Sequence, residues 1–312
     1  MPSIQTNGLT KRFGEDVLAV DTLDLAIEEG EIFGFLGPNG AGKSTTINML
    51  LDFIRPTAGS AEIFGLDAQR ESEAIRERTG VLPEGYSFDG RLTGREYVEW
   101  AIETKGTDDD PDEIIEQVGI GGDADRTTGG YSKGMAQRLA FGLALVGDPD
   151  LLILDEPSTG LDPNGIQQIR SVIRERAEQG TTVFFSSHIL SEVEAVCDRV
   201  GVMNEGRLVA MDTITGLREN ASGQATVELT CSGEPPAGVG DIDGVSEVTI
   251  EGPTLTAHCR EPATKVDVIR YVDERAEVVD ILAENTSLEE LFNEYTGGGR
   301  DGEAPDREEV SA

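Results

Sequence analysis

The sequence is short of basic residues, histidine, cysteine and long apolar runs, and each shortage removes a class of function. Only five of its 25 basic residues are lysine (Lys11, Lys43, Lys105, Lys133 and Lys265), set against 60 Asp and Glu. With a formal net charge of −35 the chain lacks the basic surface that a phosphate backbone needs, so no nucleic-acid partner is expected. Two histidines cannot build a His-rich metal centre, and Cys197, Cys231 and Cys259 show no metal-ligand spacing. Scattered cysteines fit a reducing cytoplasm. No uninterrupted apolar run exceeds four residues, as in Leu143–Val146, which extends to Leu139–Val146 if Gly142 is allowed. A membrane span needs roughly 20 such residues, so none is expected. The opening residues, MPSIQTNGLTKRFG, hold no apolar signal core, which disfavours secretion.

What is present is a chain of 312 residues, 38% hydrophobic, enough for one large domain plus a small one. The acidic residues are spread along it rather than gathered in a tail. A surface of carboxylates repels itself at low ionic strength and becomes tolerable once salt screens it. The charge balance therefore points to a high-salt cytoplasm.

Alternating runs before residue 30, such as VLAVDTLDLAI, suit antiparallel strands. EIFGFLG then reads as a strand running into a glycine loop, and KSTTINMLLDFI as a helix. Residues 85–147 carry helical patterns (GREYVEWAIE, PDEIIEQVG, KGMAQRLAFGLALVG) and few strand signals. DLLILDEP is a buried strand, PNGIQQIRSVIRERAEQG a helix closed by Gly180, TTVFFSSH a strand, LSEVEAVCD a helix and RVGVMNEGRLVAMD a hairpin. Strands alternating with helices argue for a mostly parallel sheet. Composition shifts after Leu217. RENASGQ reads as a linker, and residues 225–296 read as a small α+β domain in the order strand, strand, strand, helix, strand, helix. Residues 297–312 are poor in apolar side chains and read as a disordered acidic tail.

Gly37-Pro38-Asn39-Gly40-Ala41-Gly42-Lys43-Ser44 fits the phosphate-cradling pattern G-x-x-x-x-G-K-[ST], with Thr45 next in the helix. It follows a predicted strand and opens a predicted helix. Glycines let backbone N–H groups turn inward, and the helix start adds partial positive charge. Lys43 is expected to reach the β- and γ-phosphates, and the Ser44 hydroxyl to ligate Mg²⁺. Asp155 and Glu156 end a buried apolar strand, where a sheet edge meets its ligand. Asp155 is the expected Mg²⁺ holder, through water, and Glu156 is expected to orient or deprotonate the attacking water. His188 closes another strand next to this site, placed for a γ-phosphate contact.

Tyr131-Ser132-Lys133-Gly134-Met135-Ala136-Gln137-Arg138 resembles the signature motif of ATP-binding cassette (ABC) ATPases, 21 residues from Gly134 to Asp155. Ser158-Thr159-Gly160-Leu161-Asp162 resembles that family's D-loop, His188 its switch histidine, and Phe13 its adenine-stacking aromatic. The resemblance covers about residues 3–217. It implies an α/β P-loop NTPase cassette, a mixed sheet with a helical subdomain at about 85–147, in residues 1–217. It implies ATP and Mg²⁺ as cofactors and a head-to-tail homodimer, in which Ser132 and Gly134 of one copy, with Asp162 nearby, close over ATP on Lys43 and Ser44 of the other. Two departures mark a subfamily. The signature reads Ser-Lys-Gly-Met, and Glu84 stands where the family has a glutamine, nine residues before Thr93. A carboxylate there can also ligate Mg²⁺. Lys133 faces either phosphate or solvent.

Both departures are similar to those of ABC-2 type exporter ATPases, and residues 225–296 to the accessory domain that follows their cassette. The implied function is an ATP-hydrolysing subunit that powers export through a separate transmembrane permease, at the cytoplasmic face of the membrane. Tyr86, Phe88 and Leu92 are candidate permease contacts or, equally, local packing. With the charge balance, the source points to a halophilic archaeon. The alternative is a soluble ABC ATPase acting on ribosomes or DNA. A kinase or GTPase reading leaves YSKGMAQR unexplained and finds no NKxD guanine motif.

Overall fold

The computed structural model describes residues 2–220, 225–261, 263–284 and 292. The chain divides into two compact units, one through Ile214 and one from Thr215.

In the first unit, alternation in β1 (Ile4–Phe13) and β2 (Val17–Ile27) buries one face of an antiparallel pair. The solidly apolar β3 (Ile32–Leu36) instead lies inside a second sheet. Helix α1 (Lys43–Leu50) follows the glycine loop. The sequence reads this helix on to Ile54, but Asp52 adopts φ 57° and the N–H groups of Phe53 and Ile54 turn back to Asn48 O. A short polar side chain such as that of Asp52 tolerates the left-handed conformation, so the turn ends the helix although the apolar pattern continues.

Next come β4 (Ala58–Ile63), β5 (Leu66–Asp67), α2 (Ser72–Glu77) and β6 (Thr79–Leu82). The helical stretch supplies α3 (Gly94–Lys105), entered through a Thr93/Glu96 capping box, then α4 (Pro111–Gln117), capped by Asp110, and α5 (Lys133–Leu145), capped by Ser132. The chain returns through β7 (Leu151–Asp155), α6 (Pro163–Glu178), β8 (Thr182–Ser187), α7 (Leu190–Glu194), β9 (Arg199–Asn204) and β10 (Arg207–Thr213), and α8 (Ile214–Asn220) then leads into the second unit. Thus α7 is shorter than the nine-residue pattern suggests. Arg218–Asn220, read as linker, extend a helix whose Leu217 is buried; Leu, Arg and Glu favour that state.

One sheet has the order β2-β1-β4-β5 and the other β10-β9-β3-β8-β7-β6. Pairs β3–β8, β3–β9, β7–β8 and β6–β7 are parallel, and only the β9–β10 hairpin is antiparallel. This is the mixed α/β cassette with a helical insertion that the sequence implies. Phe33, Phe35, Ile153 and Phe184 fill the core between the sheets with Ile4, Leu25 and Ile47. Parallel β3, β7 and β8 all end at one edge, where Leu36 pairs with Ser187 and Asp155 with Ser186.

The second unit holds β11 (Ala225–Cys231), β12 (Val245–Glu251), β13 (Thr254–Cys259), α9 (Thr264–Asp273) and β14 (Val278–Glu284). Its antiparallel sheet, ordered β12-β13-β11-β14, buries Val227, Leu229, Leu255 and Ala257 against Val268 and Val272 of α9. The closing helix expected over SLEELFNEYTG and the tail 297–312 lie outside the described residues.

Candidate active site

The loop between β3 and α1 is possible only with glycine at two points. A Cβ on Gly37 would lie 2.4 Å from Met203 O. Gly42 has φ 108°, and a Cβ there would stand 2.3 Å from Ala19 O. The loop is thus pressed between β2 and β9, and Gly206 N donates to Ala41 O at 2.9 Å. The first-turn N–H groups of α1, which include those of Ser44 and Thr45, have no carbonyl of their own helix to bind. Asn39 and Gly40 are exposed at the tip, and Pro38 is half-buried.

Lys43 is buried, and its Nζ donates to Gly37 O at 2.7 Å and Pro38 O at 3.4 Å. Burial lowers its pKa; Glu156, Asp155 and Glu84 oppose that shift. Glu156 Oε1 lies 3.7 Å from Lys43 Nζ, and Glu156 Oε2 lies 2.8 Å from His188 Nδ1. Glu156 turns out of β7 with φ 52°, a conformation uncommon for a residue with a Cβ. Gln137 Nε2 of α5 secures that turn by donating to Pro157 O at 3.1 Å and Glu156 O at 3.4 Å.

Asp155 is buried and accepts a hydrogen bond from Ser186 Oγ. Burial raises its pKa, while the bonds from Ser186 and Ser44 oppose the rise. Ser44 Oγ also lies 3.4 Å from Glu84 Oε2. One hydroxyl and two carboxylates therefore converge, the hard oxygen donors that suit Mg²⁺. Among the described residues no group of three or more acids, histidines or cysteines is placed to hold a metal. The donor set fits an ion that is shared with phosphate oxygens rather than caged by protein.

The sequence-predicted residues thus fall in two places. Lys43, Ser44, Glu84, Asp155, Glu156 and His188 meet at the ends of β3, β6, β7 and β8. Ser132, Gly134 and Asp162 instead line a groove of about 540 Å³, along with Lys133, Arg138 and Leu161. Asp162 Oδ1 caps α6 by accepting from Gly165 N at 2.8 Å and pairs with Arg138 at 3.3 Å. The Lys133 stem lies over Gly160, where a Cβ would meet its Cδ at 2.7 Å. Phe13 is 42% exposed at the end of the β1–β2 hairpin, with Lys11 Nζ 5.0 Å from its ring centroid. Phe88 is wedged edge-on between Tyr86 and Tyr97, each 4.7 Å away, while Tyr86 and Leu92 remain exposed. Ser186, Gln137 and Arg138 were missed as site-building residues; a serine ending an apolar strand was the available signal for the first.

The ABC transporter family model matches residues 20–159. The bacitracin transport ATP-binding protein of Bacillus licheniformis is 37% identical over 304 residues, covering 95% of this chain and 98% of the relative. The daunorubicin/doxorubicin resistance ATP-binding protein of Streptomyces peucetius is 39% identical over 232 residues, covering 73% and 70%. A solved ATP-binding subunit of an ABC transporter superposes with a TM-score of 0.65 at 26% identity, over 70% of this chain and 92% of that one. The chain belongs to the ABC transporter family, as an ATP-binding and ATP-hydrolysing cassette subunit.

Proposed function

We propose that this cassette powers the export of small molecules through a separate permease chain. The observation that carries the reading is the convergence of Lys43, Ser44, Glu84, Asp155, Glu156 and His188 at one sheet edge. Export is supported by the two curated relatives, one concerned with bacitracin transport and one with daunorubicin/doxorubicin resistance. A separate permease is supported by the helices: among the described residues none is long and apolar enough to cross a membrane. Exposed Tyr86 and Leu92 give that permease an apolar foothold, and through it the cassette works at the cytoplasmic face of its membrane.

Backbone N–H groups of Gly40, Gly42, Lys43, Ser44 and Thr45 cradle the phosphates of ATP, and Lys43 reaches the β- and γ-phosphates. Phe13 stacks on the adenine. Ser44, Asp155 and Glu84 hold Mg²⁺, which when bound offsets charge on the β- and γ-phosphate oxygens. Glu156 takes the proton of the attacking water, and His188 bridges Glu156 and the γ-phosphate. Ser132 and Gly134, in a groove apart from Lys43, complete the site of a second copy in a head-to-tail homodimer, with Asp162 at the same face. Closure of that pair gates hydrolysis. The second unit acts as an accessory domain in dimer contacts or regulation. The charge of −35 suits a high-salt cytoplasm such as that of a halophilic archaeon.

Affinity capture of the tagged chain from detergent-solubilised membranes in molar salt tests the reading. Co-purification of a polytopic chain of about six spans is the expected result. Ribosomal proteins as the captured partners would overturn it.

A further inference from the structure

The end of β8 carries three consecutive side chains that each hold a different acid. Ser186 Oγ donates to Asp155, and Ser187 Oγ donates to Glu192 Oε2 at 2.9 Å. His188 Nδ1 lies 2.8 Å from Glu156 Oε2. Alternation along a strand sends Ser186 and His188 to the nucleotide side and Ser187 to the other. Main-chain bonds run through the same residues. Glu156 N donates to Ser186 O at 3.2 Å, and Gly37 N to Ser187 O at 3.3 Å.

Glu192 has no place in the mechanism above, yet it is 6% exposed. A buried carboxylate with a hydroxyl donor is expensive to leave unpaired. Its helix is fixed from behind. Val193 is fully buried against Gly34 of β3, where a Cβ would fall 2.5 Å from Val193 Cγ1. The Ser187 hydroxyl also accepts from Ile189 N at 3.0 Å, a local turn that sets the chain direction on either side of His188. His188 and Ile189 themselves are each more than a third exposed, so packing alone does not fix that direction.

We propose that Ser187 and Glu192 form a dry latch that positions His188 against Glu156. Both are positioning residues: neither reaches the nucleotide side. The latch ties α7, packed on β3, to the strand end that also supports the phosphate loop. Displacement of His188 by about an ångström is enough to cost one to two orders of magnitude in rate. The proposal rests on the catalytic reading of Glu156 and His188.

The test uses the full chain with Ser187→Ala, Glu192→Ala and Glu192→Gln. Three quantities are read: turnover at saturating ATP, ATP affinity, and the ring ¹⁵N signals of His188. The chain has two histidines, so a His258→Gln variant assigns those signals. Ser187→Ala and Glu192→Ala should lower turnover about tenfold or more, leave ATP affinity within about twofold and move the His188 signals. Glu192→Gln keeps an acceptor oxygen and should restore most of both. Unmoved His188 signals in folded Ser187→Ala would overturn the latch, whatever happens to stability or affinity. If Glu192→Ala does not fold, Ser187→Ala, which removes a single hydroxyl, decides. If Glu156→Gln turns over normally, the catalytic reading fails instead, and the His188 signals of the unliganded variants still judge the latch.

Discussion

His188 Nδ1 stands 2.8 Å from Glu156 Oε2 while Lys43 Nζ stands 3.7 Å from the carboxylate's other oxygen. Glu156 is thus oriented from both sides. The three come from different segments: the start of α1, the turn after β7 and the turn after β8. Parallel strands ending at one edge bring them together, which is why an α/β sheet collects its chemistry there.

Glu156→Gln keeps the shape of the side chain and removes its capacity to accept a proton. Turnover should fall by about 100-fold or more, with ATP affinity nearly unchanged. ATP should then accumulate a closed dimer, read by light scattering beside phosphate release. A monomer in saturating ATP and molar salt, or undiminished turnover, would remove Glu156 from the role of base.

The site was legible where chemistry needs a fixed local pattern. The phosphate loop, the acids after LLIL and the histidine after TVFFSS are each a strand followed by polar residues. The strands β3, β7 and β8 were legible because burial on both faces demands unbroken apolar runs. Less legible were features set by tertiary contacts. Nothing local shows that Leu51, Phe53 and Ile54 fall outside α1, because Asp52 alone breaks the pattern by turning left-handed. Nothing in LSEVEAVCD marks Glu192 as buried; the packing of Val193 on Gly34 and the bond from Ser187 Oγ hold it inside. The split between Lys43 and the groove of Ser132 and Gly134 is legible only through the family resemblance, since spacing along a chain carries no direction in space.

Gly34→Ala tests how tightly α7 sits on β3. The new methyl would lie 2.5 Å from Val193 Cγ1 and 2.9 Å from Cys197 Sγ, so the helix must shift. Overpacking of this kind costs about 1–3 kcal/mol. Denaturant unfolding should show that loss, and Val193→Ala added to Gly34→Ala should recover part of it by making room. A neutral single variant, or a double variant that is simply the sum of both losses, would mean that α7 is free to move.

Lys105 gives a pH dependence away from the site. Its Nζ donates to Val146 O at 2.8 Å, at the end of α5. Burial lowers its pKa below the ordinary 10.5, with Asp109 opposing. Between the depressed value and 10.5 the unfolded chain holds more protons on this group than the native one, so its contribution to stability rises with pH. Lys105→Met lacks the group. The stability of the parent relative to Lys105→Met should therefore grow as pH rises toward 10.5, read from unfolding midpoints. A difference that stays flat or shrinks would contradict the burial of the ammonium.

Salt should govern the stability of the whole chain. With a net charge of −35, like charges crowd most surfaces, and Glu99 and Glu103 stand four residues apart on the exposed side of α3. Such i,i+4 pairs repel by a few tenths of a kcal/mol in low salt. The screening length falls from about 10 Å at 0.1 M to about 3 Å at 1 M. Native ion pairs such as Arg78–Asp150 and Arg207–Asp21 are weakened by the same screening, so the sign of the salt effect is a real contest. Sixty acids against 25 bases leave most carboxylates without a cation, and repulsion should win. The melting temperature should climb from low to molar potassium chloride. Glu99→Gln with Glu103→Gln should shift the climb to lower salt by removing one repelling pair. A melting temperature flat across the series would remove the high-salt reading and leave the nucleotide chemistry untouched.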